Sequence, residues 1–279
     1  MKHGIFLPPF SELADPRRVA SLAADAEQAG WDGIFLWDHM LAVPGMAVAE
    51  AWTTLAAIAM VTSRVRLGAL VTPLARRRPW VLARQVATLD QLSGGRLVVG
   101  IGLGDDGWRE FSAFGEETAP RVRGELLDES LEILQELLTG NALLHAGRHY
   151  AIDSPPMLPA PVQDPVPIWA AVRWPNRKPL ARAARLQGCF PIFPNAGSRP
   201  APPPADLVEQ VRAELTGLGA ARSLDLAVCC ALHLLPEDQR AAAAAALADA
   251  GVTWLLEAFA PGQDAAAVEA YVHGGPPSG

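Results

Sequence analysis

The sequence predicts an α/β fold, a (β/α)8 TIM barrel, and three observations predict it. Short apolar runs of strand length alternate along the whole chain with longer stretches of helical period. The short runs are continuously apolar, as parallel strands covered on both faces are. Eight such strand–helix units fit into 279 residues, a usual length for one barrel of this kind. A doubly wound open sheet is the competing arrangement. The proline run Pro200–Pro204 is not read as a linker, because the alternation continues across it. The expectation is one barrel domain over residues 1–279, with a short hairpin excursion near 140–165.

The elements follow in order. His3–Leu7 is the first strand. Its helix runs from Asp15 to Ala29, with Asp15-Pro16 as N-cap and first helical position and Gly30 as the stop. Gly33–Trp37 and a helix near Glu50–Val61 form the second unit. Val65–Val71 and Pro79–Leu92 form the third, closed by Gly94-Gly95. Leu97–Ile101 leads through a polar stretch to a helix from about Arg123 to Leu138. Leu143–His145 and His149–Ala151 flank Gly147 as a hairpin. The alternation resumes with Val166–Val172 and a helix near Leu180–Leu186. Phe190–Phe193 and Asp206–Leu218 follow, then Leu224–Leu232 and the Ala-rich Pro236–Ala250. Thr253–Phe259 and Ala265–Tyr271 close the series.

Composition removes several functions. A formal charge of −7 argues against nucleic-acid binding. No apolar run reaches the roughly 18 residues of a membrane span, and the N-terminus reads as a strand, not a signal peptide. Cys189, Cys229 and Cys230 make neither a metal motif nor a disulfide framework and read as buried thiols in a reducing cytoplasm. The six histidines are scattered, so no metal site is expected.

In a barrel the chemistry sits at the C-terminal ends of the strands. Asp38-His39 ends the second strand and is the sharpest pair: a histidine beside a carboxylate can move a proton or bond a polar ring edge. The plainer alternative is that Asp38 caps a turn and His39 packs. Residues 102–107 match G-x-G-x-x-G but lie in the fourth unit and do not open a helix, so the dinucleotide fingerprint is rejected. Gly100, Gly102 and Gly104 would instead admit a flat ligand. Arg76-Arg77-Arg78 would either grip an anion or lie solvated. Cys230 and His233 read as a core pair rather than site lining, and His145 and His149 as solvated surface.

Together these motifs resemble the luciferase-like flavin-dependent oxidoreductases. The stretch AADAEQAGWDGIFLWDH (residues 23–39) is similar to that family's first helix and second strand. TSRVRLG (62–68) with Val71-Thr72-Pro73 is similar to its third strand. LARQVATLDQLSGGR (82–96) followed by Gly100-Ile101-Gly102 is the most specific part. Pro161-Val162-Gln163, Pro167-Ile168-Trp169 and Gly251–Trp254 complete the likeness.

The resemblance implies a (β/α)8 barrel binding FMN or the deazaflavin coenzyme F420 at its mouth. It implies a non-prolyl cis bond at Leu70–Val71 behind the ring, with Thr72 beside it. It implies Asp38 and His39 near the ring, Asp105 as a proton donor after Gly102 and Gly104, and a phosphate loop at Arg173, Trp174, Pro175 and Asn176. Departures accompany it. Pro175 has no N–H to give, Leu70 stands where a small residue is usual, and positions 40–43 lack the aromatic residue of the sugar-phosphate dehydrogenase branch.

The expected function is hydride transfer between a small organic substrate and F420, favoured over FMN by the Trp-Asp-His element and the Arg-rich composition. The alternatives are a two-component monooxygenase fed with reduced FMN by a separate reductase, and a non-catalytic (deaza)flavin carrier. A barrel hydrolase ranks below these. The family also implies a homodimer through early helices, which Ala-rich faces permit.

Overall fold

The computed structural model describes residues 1–194 and 200–277. The chain runs β1 (Lys2–Leu7), α1 (Pro16–Gln28), β2 (Gly33–Leu36), α2 (Ala51–Val61), β3 (Arg66–Ala69), β4 (Thr72–Pro73), α3 (Pro79–Ser93), β5 (Val99–Gly102) and α4 (Pro120–Leu138). A hairpin follows, β6 (Leu143–Ala146) and β7 (Ala151–Ser154). Then come β8 (Ile168–Arg173), α5 (Arg177–Ala183), β9 (Gly188–Ile192), α6 (Ala205–Gly217), β10 (Asp225–Cys230), α7 (Glu237–Asp249), β11 (Trp254–Ala258) and α8 (Ala265–His273).

The large sheet has the order β3-β2-β1-β11-β10-β9-β8-β5-β4, all neighbours parallel. β3 and β4 are two halves of one barrel strand: β3 pairs with β2 and β4 with β5. A parallel bridge between Leu67 and Leu97 ties the lower half of that strand to the approach of β5, so the sheet closes on itself. The fold is the (β/α)8 barrel the alternation predicts, with the antiparallel hairpin as an excursion.

Strand residues sort by parity into two cores. Phe6, Phe35, Trp169, Trp254 and Leu256 fill the barrel interior. Ile5, Leu7, Ile34, Leu36, Leu67 and Leu255 face the helices. Local chemistry sets the boundaries. The Asp15 carboxylate caps α1 by accepting from Arg17 N–H at 2.9 Å, with Pro16 at the first helical position. Gly94 ends α3 in the left-handed region at φ +65°.

Two helices begin earlier than the periodicity suggests. α4 starts at Pro120 instead of near Arg123, and α5 at Arg177 instead of near Leu180. Each has a proline in its first turn, where the missing N–H has no helical partner to lose. These extra turns carry Arg121, Arg177 and Lys178 onto the rim of the barrel. No helix among the described residues is long and apolar enough to cross a membrane.

Glu27, near the end of α1, locks the α2–β3 turn. Its buried carboxylate accepts from the backbone N–H groups of Ser63, Arg64 and Val65 and from the Ser63 hydroxyl. Burial pushes this carboxyl up, but those donors more than offset it and hold it at about 2, against an ordinary 4.5. The folded value lies below the unfolded one. The stabilisation is therefore complete above about pH 4.5 and lost as pH falls towards 2. It should amount to about 3 kcal/mol. Denaturant unfolding of the wild type and Glu27→Gln between pH 2 and 7 checks this. The two curves should separate above pH 4.5 and converge in acid; parallel curves would refute it.

Candidate active site

A cavity of about 940 Å³ opens at the C-terminal ends of the strands. Its floor is apolar, built from Phe6, Trp37, Leu70, Val71, Phe190 and Ile192. The lining also carries cations from the start of α4, the end of β8 and both ends of α5: Arg121, Arg123, Arg173, Arg177, Lys178 and Arg182.

β2 ends at Leu36, so strand alternation no longer separates Asp38 from His39, and both line the cavity. Asp38 is nonetheless committed to other groups. Arg77 Nη2 reaches both its oxygens at 2.8 and 2.7 Å, and Arg76 Nη2 donates to its main-chain carbonyl at 2.7 Å. Arg76 also bridges to Glu110, Nη1 to Oε1, at 3.1 Å. The side chains of Asp38, Glu110 and Arg76 are 2%, 3% and 5% exposed, so two carboxylates and two guanidiniums form a charge-balanced buried block. Of the three arginines that could have gripped an anion or lain solvated, two turn inward for this purpose.

His39 Nδ1 lies 2.7 Å from Glu110 Oε2. Glu110 Oε1 accepts from the Met40 and Leu41 N–H groups. Burial pushes the Glu110 carboxyl up, but the His39 bond, the Met40 N–H and Arg76 outweigh it and leave the group below the usual carboxylate range. An ionised carboxylate accepts, so Nδ1 is the protonated nitrogen and Nε2 is left for other partners. The ring packs against Trp108 at 4.8 Å and Phe10 at 5.7 Å between centroids.

Glu110 carries no sequence signal: it sits in an irregular loop and pairs with a residue 71 positions away. Asp106 folds that loop, accepting from the Phe111 and Ser112 N–H groups at 2.8 and 3.1 Å. Arg123 was placed at the helix start but not named as a site residue, and Pro120, which opens α4, is the signal that carries it to the barrel mouth. Its guanidinium lies 4.6 Å from the Phe111 ring centroid and makes no ion pair among the described residues.

The Leu70–Val71 bond is cis and stands between β3 and β4. Its bulge explains the glycines opposite. A Cβ on Gly100 would meet the Ala69 carbonyl oxygen at 2.3 Å, and one on Gly102 would meet Val71 Cγ2 at 2.4 Å. Gly104 takes φ +75° against the Phe111 ring. These glycines make room first for the protein's own backbone and side chains, whereas the sequence suggested room for a ligand. Gly102, Gly104, Asp105, Arg173 and Asn176 line the cavity. Three expected contact residues do not. Thr72 turns its hydroxyl to Trp52 Nε1 at 3.1 Å, Trp174 packs into the core, and Pro175 follows it through a cis bond.

The remaining histidines lie elsewhere. His233 bonds Glu257 at 2.7 Å, and Glu257 also accepts from the Tyr271 hydroxyl at 3.0 Å, in the layer between β11 and α8. Cys230 is not its partner. His145 is not solvated surface: it is half-buried and bonds Glu129 at 3.1 Å. Among the described residues no group of three or more His, Cys, Asp or Glu could hold a metal ion.

A family model described as luciferase-like monooxygenase matches residues 1–274. The chain belongs to the luciferase-like monooxygenase family. An F420-dependent glucose-6-phosphate dehydrogenase of Nakamurella multipartita is 32% identical over 174 residues, 61% of this chain and 51% of that one. The chain thus matches about half the length of that relative. Among solved structures, monooxygenase RslO1 of Streptomyces bottropensis aligns with TM-score 0.81 at 20% identity, over 98% of this chain and 96% of that chain. The coenzyme F420-dependent tetrahydromethanopterin reductase of Methanopyrus kandleri aligns with TM-score 0.72 at 18% identity, over 91% and 92%. Both share the barrel fold of this luciferase-like protein.

Proposed function

We propose that this luciferase-like protein is an oxidoreductase transferring hydride between a small organic substrate and F420, with FMN as the alternative cofactor. The mixed lining of the cavity carries the reading: apolar, partly aromatic residues and a set of cations border the same space. That combination fits a flat ring joined to a phosphate. Among the cavity residues, Trp37 Nε1 and Arg123 Nε have no hydrogen-bond partner in the protein. Leu70, Val71, Gly102 and Gly104 would back the ring. Arg123, Arg173, Asn176 and Arg177 would hold the phosphate. The name of the Nakamurella relative favours F420.

When bound, either cofactor supplies a ring that takes or returns a hydride. The chain handles the proton. Nε2 of His39 accepts the proton of a substrate hydroxyl on oxidation and returns it on reduction. Glu110 orients the ring and balances the imidazolium charge. Asp38 holds Arg76 and Arg77 in place as a positioning residue. Asp105, exposed at the cavity, is a second group able to carry a proton.

Fluorescence titration of the apo-protein with F420 and FMN in parallel tests the reading. Binding of F420 supports it, and preference for reduced FMN moves it to a two-component monooxygenase served by a separate reductase. Binding of neither refutes it. Arg123→Ala should weaken cofactor binding by about 1.5–3 kcal/mol, ten- to a hundredfold, because a charged bond to phosphate is lost. An unchanged dissociation constant would remove Arg123 from the phosphate site. Three unpaired cysteines suit a reducing cytoplasm. The homodimer belongs to the same reading: Met60, Val61 and Leu92 leave the ends of α2 and α3 apolar and exposed. Sedimentation should give twice the chain mass, and a monomer at micromolar concentration would exclude it.

A further inference from the structure

We infer that Asp106 is a positioning residue for the His39–Glu110 pair: its carboxylate shapes the loop that brings Glu110 and Trp108 onto His39, an assignment that rests on the redox reading above.

Glu110 and Trp108 come from the irregular stretch between β5 and α4. No helix or strand ladder fixes the backbone there, so local bonds must. Asp106 supplies them. Its Oδ1 accepts from Phe111 N–H at 2.8 Å and from Ser112 N–H at 3.1 Å, the two amides that follow Glu110. Its main-chain carbonyl accepts from Arg109 N–H at 2.9 Å. One residue thus closes the turn with both its side chain and its backbone. The Phe111 and Ser112 bonds hold the Asp106 carboxyl below the usual carboxylate range, so it is charged at neutral pH.

The turn is also strained. Arg109 takes φ +61°, a left-handed conformation that a side chain disfavours. Such a corner persists where the bonds around it over-determine it. On the other side of Glu110, Phe111 is fully buried, its ring against Gly104 and 4.6 Å from the Arg123 guanidinium. Glu110 therefore stands between a strained corner and a buried anchor, and Asp106 bonds to both sides of it.

The loop delivers two groups to one histidine. Glu110 Oε2 lies 2.7 Å from His39 Nδ1, and the Trp108 ring packs on the imidazole at 4.8 Å between centroids. Glu110 Oε1 also accepts from the Met40 and Leu41 N–H groups. These two amides, in the loop after β2, report whether Glu110 is in place.

Amide hydrogen exchange of the protein without cofactor tests the assignment. In Asp106→Ala, exchange at Met40 and Leu41 should speed up about tenfold, while the amides of β1 keep their rates. A general loss of stability would speed both. In turnover, kcat should fall about a hundredfold with KM nearly constant, as for a misplaced catalytic group. Asp106→Asn keeps an acceptor oxygen and should restore both the exchange rates and kcat. Unchanged exchange at Met40 and Leu41 in the Ala variant overturns the assignment, as does equal acceleration in β1. An Asn variant as impaired as Ala overturns it too, because shaping the loop needs only an acceptor. A wild type that turns over nothing with F420 or FMN overturns the redox reading, and the exchange comparison, which needs neither cofactor, still decides whether Asp106 places Glu110.

Discussion

Asp38→Ala is expected to lower the free energy of unfolding by about 3–5 kcal/mol, because removing one member of a buried ion network leaves its partners uncompensated. Arg77 would lose both its bonds to Asp38, at 2.8 and 2.7 Å, and keep only the exposed Glu50 at 3.6 Å, while Arg76 would keep Glu110 as its one buried carboxylate. In a protein of this size the change should appear as a fall in Tm of about 10 °C. Asp38→Asn keeps the shape and one acceptor oxygen and should cost about half as much. Thermal unfolding of both variants, followed by circular dichroism, decides the matter. If Asp38 instead carried the proton, Asn would abolish turnover and leave Tm unchanged.

His39→Ala should reduce kcat for hydride transfer by about a hundred- to ten-thousandfold, the usual range for loss of a positioned acid–base group. Cofactor affinity should change far less, because the cations that would hold the phosphate come from α4, β8 and α5 and not from the loop after β2. Glu110→Gln tests the positioning role separately. An amide holds the ring less firmly and cannot balance an imidazolium, so kcat should fall about tenfold with KM nearly constant, the signature of an interaction made mainly in the transition state. Its acid limb should move as well, because the Glu110 carboxyl is held below the ordinary range and stays charged where a free one would protonate. The Glu110 contribution is present at neutral pH and lost as pH falls through that depressed value. A wild type that binds cofactor and never turns over any alcohol, enone or imine would favour the carrier reading.

The barrel was legible because its signals are local and periodic. Apolar runs such as Gly33–Leu36 and helical stretches such as Pro79–Ser93 announce themselves within a window of ten or fifteen residues. Asp15-Pro16 and Gly94 mark boundaries by capping chemistry that needs no distant partner. The starts of α4 and α5 were misplaced because a proline in the first turn hides a helix from a reading of apolar period. That shift left Arg121 and Arg177 out of the expected site, and the resemblance put Trp174 and Pro175 into it, which do not line the cavity.

By itself the sequence determined the eight-unit barrel, the strand ends where chemistry sits, and the family, through motifs with order and spacing. It also placed Asp38, His39, Gly102 and Asp105 at one mouth, since strand ends converge there in any such barrel. The tertiary structure alone decided what those residues do to one another. Glu110 meets His39 across 71 positions, and Arg77 meets Asp38 across 39. Such pairs join separate loops and leave no period in the chain. They arise because burial of a charge requires a partner wherever the fold happens to bring one. The same requirement turned two arginines inward onto the protein's own carboxylates and left the cations of α4, β8 and α5 to line the cavity.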